Sequence, residues 1–446
     1  MNLNQVHSVY FLGVGGIGMS AIARYFIVQG KRVSGYDKTS SELTDQLIDE
    51  GIPVQFSDDP KLVPFADLYV YTPAIPENHP VFDHVRGKGG KWYKRSEVLE
   101  WITKTNKTIA IAGTHGKTTT TAITAHVLEH CIGNISAFVG GVLSESNKNI
   151  IAAESPEYIV VEADEYDRSF LRLHPNILVI TSLDADHLDI YGTYAEMLKD
   201  YRTLAGRAQK LIIHESIAGL FDHPNKKSYG LSPTCDYHYK NMRVEKGAFV
   251  FESNITDISF KITMPGEHNV QNAMAALSIA HSINADKSKM IDALASFKGV
   301  KRRFERVFET AGKVIIDDYA HHPEEIKAAI KAARLLYPKH LVAVVFQPHL
   351  YSRTRDLEDG FVDSLNQADE VILLPIYPAR EMPIEGVSSD NLLNRLSLKT
   401  KRMVEKPDLV NAVLSLTAET ILILGAGDID RIVKPIVKAA KEQIQF

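Results

Sequence analysis

Ile109-Ala110-Ile111-Ala112-Gly113-Thr114-His115-Gly116-Lys117-Thr118-Thr119-Thr120 is the stretch on which the fold turns. Its first four residues are apolar and read as a buried strand. Gly113 and Gly116 bracket a turn. Ala122-Ile123-Thr124-Ala125-His126-Val127-Leu128 then carries the apolar periodicity of a helix. Strand, glycine turn and helix together cradle a nucleotide polyphosphate. Backbone N–H groups and the helix N-terminus face the anion, the lysine adds charge, and a hydroxyl reaches Mg²⁺. The usual loop has a glycine where Ile111 stands, so this is a shorter Gly-Thr-His-Gly-Lys-Thr motif.

Two further strand–glycine–helix starts lie outward from it. Val9-Tyr10-Phe11-Leu12 runs into Gly13-Val14-Gly15-Gly16-Ile17-Gly18 and then a helix through Ile22 and Phe26. Lys313-Val314-Ile315-Ile316-Asp317-Asp318-Tyr319 runs into a helix over Glu324–Leu336. Strands alternating with helices predict α/β domains with parallel sheets. Polar residues at Lys104-Thr105-Asn106-Lys107 place one boundary and the basic Lys301-Arg302-Arg303 another, giving segments 1–105, 106–302 and 303–446. Between Lys226 and Met264 short alternating runs such as Ala248-Phe249-Val250-Phe251 read as a small antiparallel patch.

The 446 residues fit two or three domains, with 45% hydrophobic and 24% charged residues as in ordinary globular chains. A net charge of −5 argues against a nucleic-acid binder. No apolar run is long enough to span a bilayer. The N-terminus lacks a basic region followed by an apolar one, and the two cysteines, Cys131 and Cys235, suit a reducing compartment, so a cytoplasmic location is expected.

The first glycine loop satisfies G-x-G-x-x-G, with Asp37 placed as the acidic partner of a ribose. Its physics specifies less than its pattern. Such a loop holds the diphosphate of a dinucleotide or of another nucleoside diphosphate such as a UDP-sugar, or it is a tight structural turn. Two later strands end in polar clusters, Glu162-Ala163-Asp164-Glu165 and Ser182-Leu183-Asp184-Ala185-Asp186-His187, at the sheet edge where the phosphate loop lies. Mg²⁺ beside a triphosphate takes few protein ligands and prefers oxygen, which points to Thr118 and Glu162. His187 is an unusual ligand for it.

These motifs resemble the Mur ligases, ATP-dependent amide-forming enzymes of peptidoglycan precursor synthesis. The resemblance rests on Gly113–Thr119, Glu162–Glu165, Asp186-His187, Gly266-Glu267-His268-Asn269-Val270-Gln271-Asn272-Ala273 and Asp317-Asp318-Tyr319-Ala320-His321-His322-Pro323. Gly15–Ser20 and Phe346–Thr354 are most similar to the L-alanine-adding branch. The resemblance implies three domains: a Rossmann-like N-terminal domain for a UDP-sugar, a central domain for ATP, and a Rossmann-like C-terminal domain for the amino acid. The substrates implied are UDP-N-acetylmuramate and L-alanine, with ATP and Mg²⁺, in a monomer or homodimer.

Residue by residue, the resemblance puts the UDP diphosphate on Gly13, Gly15, Gly16, Ile17 and Gly18, with Asp37 and the loop Thr72-Pro73-Ala74 beside it. Gly113, Thr114, His115, Gly116, Lys117, Thr118 and Thr119 receive the ATP phosphates, with Lys117 on them directly. Thr118 and Glu162 bind Mg²⁺, and His187 helps hold a second ion. Asn269 and Asn272 contact adenine, and Arg303 and Asp318 serve the nucleotide. Tyr319, His349 and Arg353 surround L-alanine, with Arg353 on its carboxylate, as arginine's fork suits. His321 is the candidate base. Two departures stand out. Leu350 replaces an expected arginine, and Tyr201, not a carbamylated lysine, follows the metal histidine, with Lys199 nearby. A hinge at one or both boundaries is expected. A ligase that recycles tripeptide, a folate polyglutamate ligase and a non-catalytic nucleotide-dependent binding protein are the alternatives.

Overall fold

The computed structural model describes every residue except Met1, Tyr166, Ala185, Asp186, His187, Arg380, Gln445 and Phe446. The expected roles of Asp186 and His187 therefore fall outside the described residues. The chain forms a mixed α/β structure with three sheets. It divides into two compact units: residues 1–242, 251–261 and 271–298 form one, and residues 243–250, 262–270 and 299–446 the other. Among the described residues no helix is long and apolar enough to cross a membrane.

The first sheet holds β1 (Ser8–Leu12), β2 (Arg32–Tyr36), β3 (Val54–Gln55), β4 (Leu68–Tyr71) and β5 (Trp92–Lys94) in the order β3-β2-β1-β4-β5. All its pairs are parallel. Every residue of β1 is buried, which is why the strand reads as an unbroken run and not an alternation. The chain leaves β1 to one side for β2 and β3 and to the other for β4 and β5. The glycine loop after β1 thus sits at a topological switch point, where open α/β sheets take ligands.

The second sheet holds ten strands: β6 (Thr108–Ala112), β7 (Ile135–Phe138), β8 (Ile150–Ile151), β9 (Tyr158–Glu162), β10 (Ile177–Ile180), β11 (Lys210–His214), β12 (Lys226–Gly230), β13 (Tyr237–Glu245), β14 (Ala248–Ser253) and β15 (Thr256–Ile262). Their order is β15-β14-β13-β12-β11-β10-β6-β9-β7-β8. β6 lies between β9 and β10, parallel to both, so Gly113, Glu162 and Thr181 leave the same sheet edge. The stretch read as a small antiparallel patch continues this sheet, and its first pair, β12 with β13, is parallel. β13 and β14 are joined by Lys246 and Gly247, both at positive φ (49° and 75°), the geometry of a tight hairpin turn.

One apolar core runs through the first unit. It joins Phe11, Ile22 and Phe26 to Ala110, Phe138, Val161 and Leu178 without a break. Tyr25 of the helix Ile17–Val28 meets Phe138 of β7 with ring centroids 5.4 Å apart.

The third sheet holds β16 (Glu305–Glu309), β17 (Val314–Asp318), β18 (Val342–Phe346), β19 (Glu370–Leu373), β20 (Thr400–Met403) and β21 (Thr420–Leu424), ordered β16-β17-β21-β18-β19-β20. Only β16 pairs antiparallel. The helix Pro323–Leu336 begins with proline in its first turn and with the His322 side chain accepting from the Glu324 N–H, and it buries Ile326, Ala329, Ile330 and Ala333.

Candidate active site

The phosphate loop begins where β6 ends. Gly113 has φ +135°, and a Cβ there would run into the Thr181 hydroxyl. Gly116 has φ +79°, and a Cβ would lie 2.5 Å from Asn272 Oδ1. Both positions need glycine for backbone and for space. Gly116 caps the helix Lys117–Ile132. The threonines that open this helix are β-branched, poor formers of helix interior, yet two of their hydroxyls tie the helix to neighbouring elements. Thr120 donates to Asn272 Oδ1 at 3.1 Å, and Thr118 donates to Glu162 Oε1 at 2.9 Å. Ser182 accepts from the His115 N–H at 2.9 Å and holds the loop's middle.

Lys117 folds back across this loop. Its Nζ donates to Gly113 O at 2.7 Å, Thr114 O at 3.3 Å and Glu165 Oε1 at 2.8 Å. Burial opposes its charge, but the buried Glu165 carboxylate outweighs that and holds its pKa above the usual lysine value. The cation is thus kept charged inside the protein. Glu162 has a second anchor, since its Oε2 accepts from the Gly140 N–H at 2.9 Å. A carboxylate beside a hydroxyl at the mouth of a phosphate loop is a hard-oxygen donor pair, the kind a Mg²⁺ ion on a phosphate takes. Among the described residues no group of three or more His, Cys, Asp or Glu gathers as a metal cluster.

In the first sheet, the Gly15 N–H donates to Asp37 Oδ2 at 2.7 Å, so Asp37 braces the glycine loop. Thr72 borders Gly13, where an added Cβ would lie 2.6 Å from its methyl. Thr72 Oγ1 also accepts from the Ala74 N–H. The structure therefore brings Thr72, the first residue of Thr72-Pro73-Ala74, to the Gly13 turn.

In the second unit, the loop after β17 gathers the remaining residues. Asp318 accepts from the Phe304 N–H at 2.6 Å and the Ala320 N–H at 2.7 Å. Its pKa is pushed up to about 6 by burial, against the pull of Arg303. Arg303 lies over the Tyr319 ring, 5.1 Å from its centre. Tyr319 and His321 sit 5.3 Å apart, and His321 and His349 6.3 Å apart. Burial lowers the His321 pKa, opposed by Glu325 and aided by Arg353 and Arg303. Burial, with His321 and Arg353 adding to it, lowers His349 to about 4. Asn269 is buried and donates to Pro265 O at 2.7 Å. Leu350, where arginine was expected, has φ +71° and gives its N–H to Tyr377 O.

Lys199 is exposed and pairs with Glu196 at 3.4 Å, while the ring of Tyr201 is buried against Phe170. Several site residues escaped the sequence reading. Gly140 and Glu325, which accepts from the His321 and His322 N–H groups, sit in no motif, and Ser182 headed a polar cluster without an assigned role. Glu165 belonged to an acidic run but carried no assigned role. Glu381, which holds the Ser352 N–H and hydroxyl, lies well away in sequence from the segment it braces.

Comparison with known proteins is consistent along the whole chain. The family model for the Mur ligase catalytic domain matches residues 8–107, that for the Mur ligase middle domain 111–280, and that for the Mur ligase glutamate ligase domain 302–427. A UDP-N-acetylmuramate–L-alanine ligase of Christiangramia forsetii is 44% identical over 98% of both chains. Another, from Flavobacterium psychrophilum, is 45% identical over 99% of this chain and 100% of its own. The crystal structure of the UDP-N-acetylmuramate–alanine ligase of Thermotoga maritima superposes with a TM-score of 0.83 at 28% identity, covering 98% of this chain and 99% of that one. With three family models in sequence order and relatives matched from end to end, the chain belongs to the Mur ligase family.

Proposed function

We propose that the chain joins L-alanine to the lactyl carboxylate of UDP-N-acetylmuramate, with ATP cleaved to ADP and phosphate. The observation that carries this reading is the phosphate loop with its buried Lys117 and its Thr118–Glu162 pair. It stands in a chain similar from end to end to ligases of that name. Segment 1–105 takes the UDP-sugar at Gly13, Gly15, Gly16, Ile17 and Gly18, segment 106–302 the ATP, and segment 303–446 the amino acid.

A carboxylate is a poor electrophile, so the amide needs an activated acyl group. A lactyl oxygen attacks the γ-phosphorus of ATP, the bond from that phosphorus to the bridging oxygen breaks, and ADP leaves. The amine of L-alanine then attacks the acyl phosphate, and phosphate departs with the lactyl oxygen. Lys117, already held charged, offsets the crowding of negative charge around the phosphorus. Gly113 to Thr119 offer the backbone N–H cradle. Thr118 and Glu162 fit a Mg²⁺ ion, which when bound supplies positive charge on the transferred phosphate. His187, outside the described residues, is assigned to a second ion by family resemblance.

Asn272 lies against Gly116 and accepts from the Thr120 hydroxyl, and with Asn269 it is assigned to the adenine side. Arg303 and Asp318 are assigned to the nucleotide. Tyr319, His349 and Arg353 form the amino-acid site, with Arg353 pairing the carboxylate. His321, its pKa held below the usual histidine value, is neutral near pH 7 and free to accept the ammonium proton.

The test is phosphate release with each substrate omitted in turn. Release that requires both UDP-N-acetylmuramate and L-alanine is expected. Release with tripeptide but not alanine, or release indifferent to the amino acid, overturns the reading. A heavy-oxygen label in the muramyl carboxylate should emerge in the released phosphate.

A further inference from the structure

Asn149 is fully buried just before β8, and it touches two places that no local motif joins. Its backbone carbonyl accepts from the Val139 N–H at 3.1 Å. The next residue, Gly140, is the one whose N–H holds Glu162. Its side chain reaches the other way. Nδ2 donates to the Ile17 carbonyl and, at 2.9 Å, to the Ser20 hydroxyl. Oδ1 accepts from Arg24 Nη1. Arg24 in turn holds Glu50 at 2.6 Å and Gln46 at 3.3 Å. Guanidinium only donates, so the amide oxygen must face Arg24 and the amide nitrogen must face Ile17.

Ile17 and Ser20 form the first turn of the helix that follows the Gly13–Gly18 loop. One buried amide therefore connects that turn to the turn that anchors Glu162. The surrounding apolar contacts, Tyr25 on Phe138 among them, hold the elements together but are non-directional and tolerate sliding. A hydrogen-bonded amide fixes register. Displacement of about 1 Å at a reacting pair costs about a hundredfold in rate.

We propose that Asn149 is a positioning residue. It registers the helix Ile17–Val28 against the Gly140–Glu162 turn, and so aims the lactyl carboxylate at the terminal phosphate of the nucleotide. The proposal rests on reading the first glycine loop as the UDP-sugar site and Glu162 as a metal ligand.

Asn149→Asp separates this role from mere satisfaction of Arg24. Aspartate keeps an acceptor for Arg24 but removes both donated bonds. Asn149→Ala removes all three. The full chain and both variants are compared by thermal midpoint, by separate binding of UDP-N-acetylmuramate and of a non-hydrolysable ATP analogue, and by kcat. In both variants kcat falls about tenfold to a hundredfold while each ligand alone binds as before. Both variants lose some thermal stability through the buried bonds each gives up, so kcat is read at temperatures where each stays folded. Ser20→Ala, which takes away one acceptor and leaves Arg24 untouched, lowers kcat in the same manner by a smaller factor and serves if Asn149→Asp does not fold.

A wild-type kcat in Asn149→Asp overturns the proposal, because the amide then serves only Arg24. So does a kcat loss matched by lost binding of either ligand alone, because the amide then shapes one site and not their register. If the unaltered protein does not bind UDP-N-acetylmuramate at all, the reading beneath the proposal fails and the proposal falls with it.

Discussion

Asp317 holds its proton up to about pH 7, beside Asp318, the residue proposed to serve the nucleotide. It lies buried in β17 with Arg302 Nε 3.6 Å away. Burial pushes its pKa up to about 7; Arg302 opposes this, and the charges of Asp318, Glu305 and Asp430 add to it. Unfolded, the carboxyl returns to its ordinary value near 3.8. Between those two values the folded chain keeps a proton that the unfolded chain has lost. The stability this group contributes is therefore full below about pH 4 and is lost as pH rises to about 7. Asp317→Asn removes the titration. Its denaturation midpoint, followed by urea unfolding at a series of pH values, should gain on that of the parent steadily across this window and then level off. Two curves that stay parallel would exclude the effect.

Among the elements, the turn leaving β7 governs the carboxylate that the metal reading depends on. Gly140 gives its N–H to Glu162, and a Cβ on it would fall on the Glu162 carboxylate itself. Gly140→Ala therefore has to push Glu162 off Thr118. Activity should fall about tenfold or more, with more Mg²⁺ needed for half-maximal rate and the thermal midpoint nearly unchanged. An unaltered Mg²⁺ dependence would show that Glu162 is not the ligand. Gly140 also shows where sequence stops being readable. Strand, loop and helix at Gly113–Thr118 were legible because their chemistry is consecutive. The same holds for Gly13–Gly18 and for Asp318–His321. Gly140, Ser182 and Asn149 act through bonds between distant segments, set by strand order, and alternation of side chains reveals a strand's faces but not its neighbours. That is also why the place of β12–β15 at one end of the large sheet does not follow from their alternation alone.

At the level of the whole molecule, the two loops proposed for UDP-sugar and nucleotide belong to one compact unit, and one apolar core runs from the first sheet into the second. Shared packing makes them unfold together. Ligand that binds only the folded state stabilises by about 2.7 kcal/mol at a hundred times its Kd. Differential scanning calorimetry should then show UDP-N-acetylmuramate and the ATP analogue each raising the same transition. Two transitions, each answering to one ligand, would mean that the core does not couple them.

The continuous core has a consequence for how such chains recombine. The segment 1–105 cannot be traded as a cassette, because its first helix is finished by Phe138 and Asn149 from the segment that follows. A hybrid that imports a relative's N-terminal segment needs a matching tyrosine, serine and arginine on that helix, or it must import the stretch from β7 to β8 as well. The unit of inheritance here is a contact surface, and it straddles the boundary at which the sequence would invite the cut.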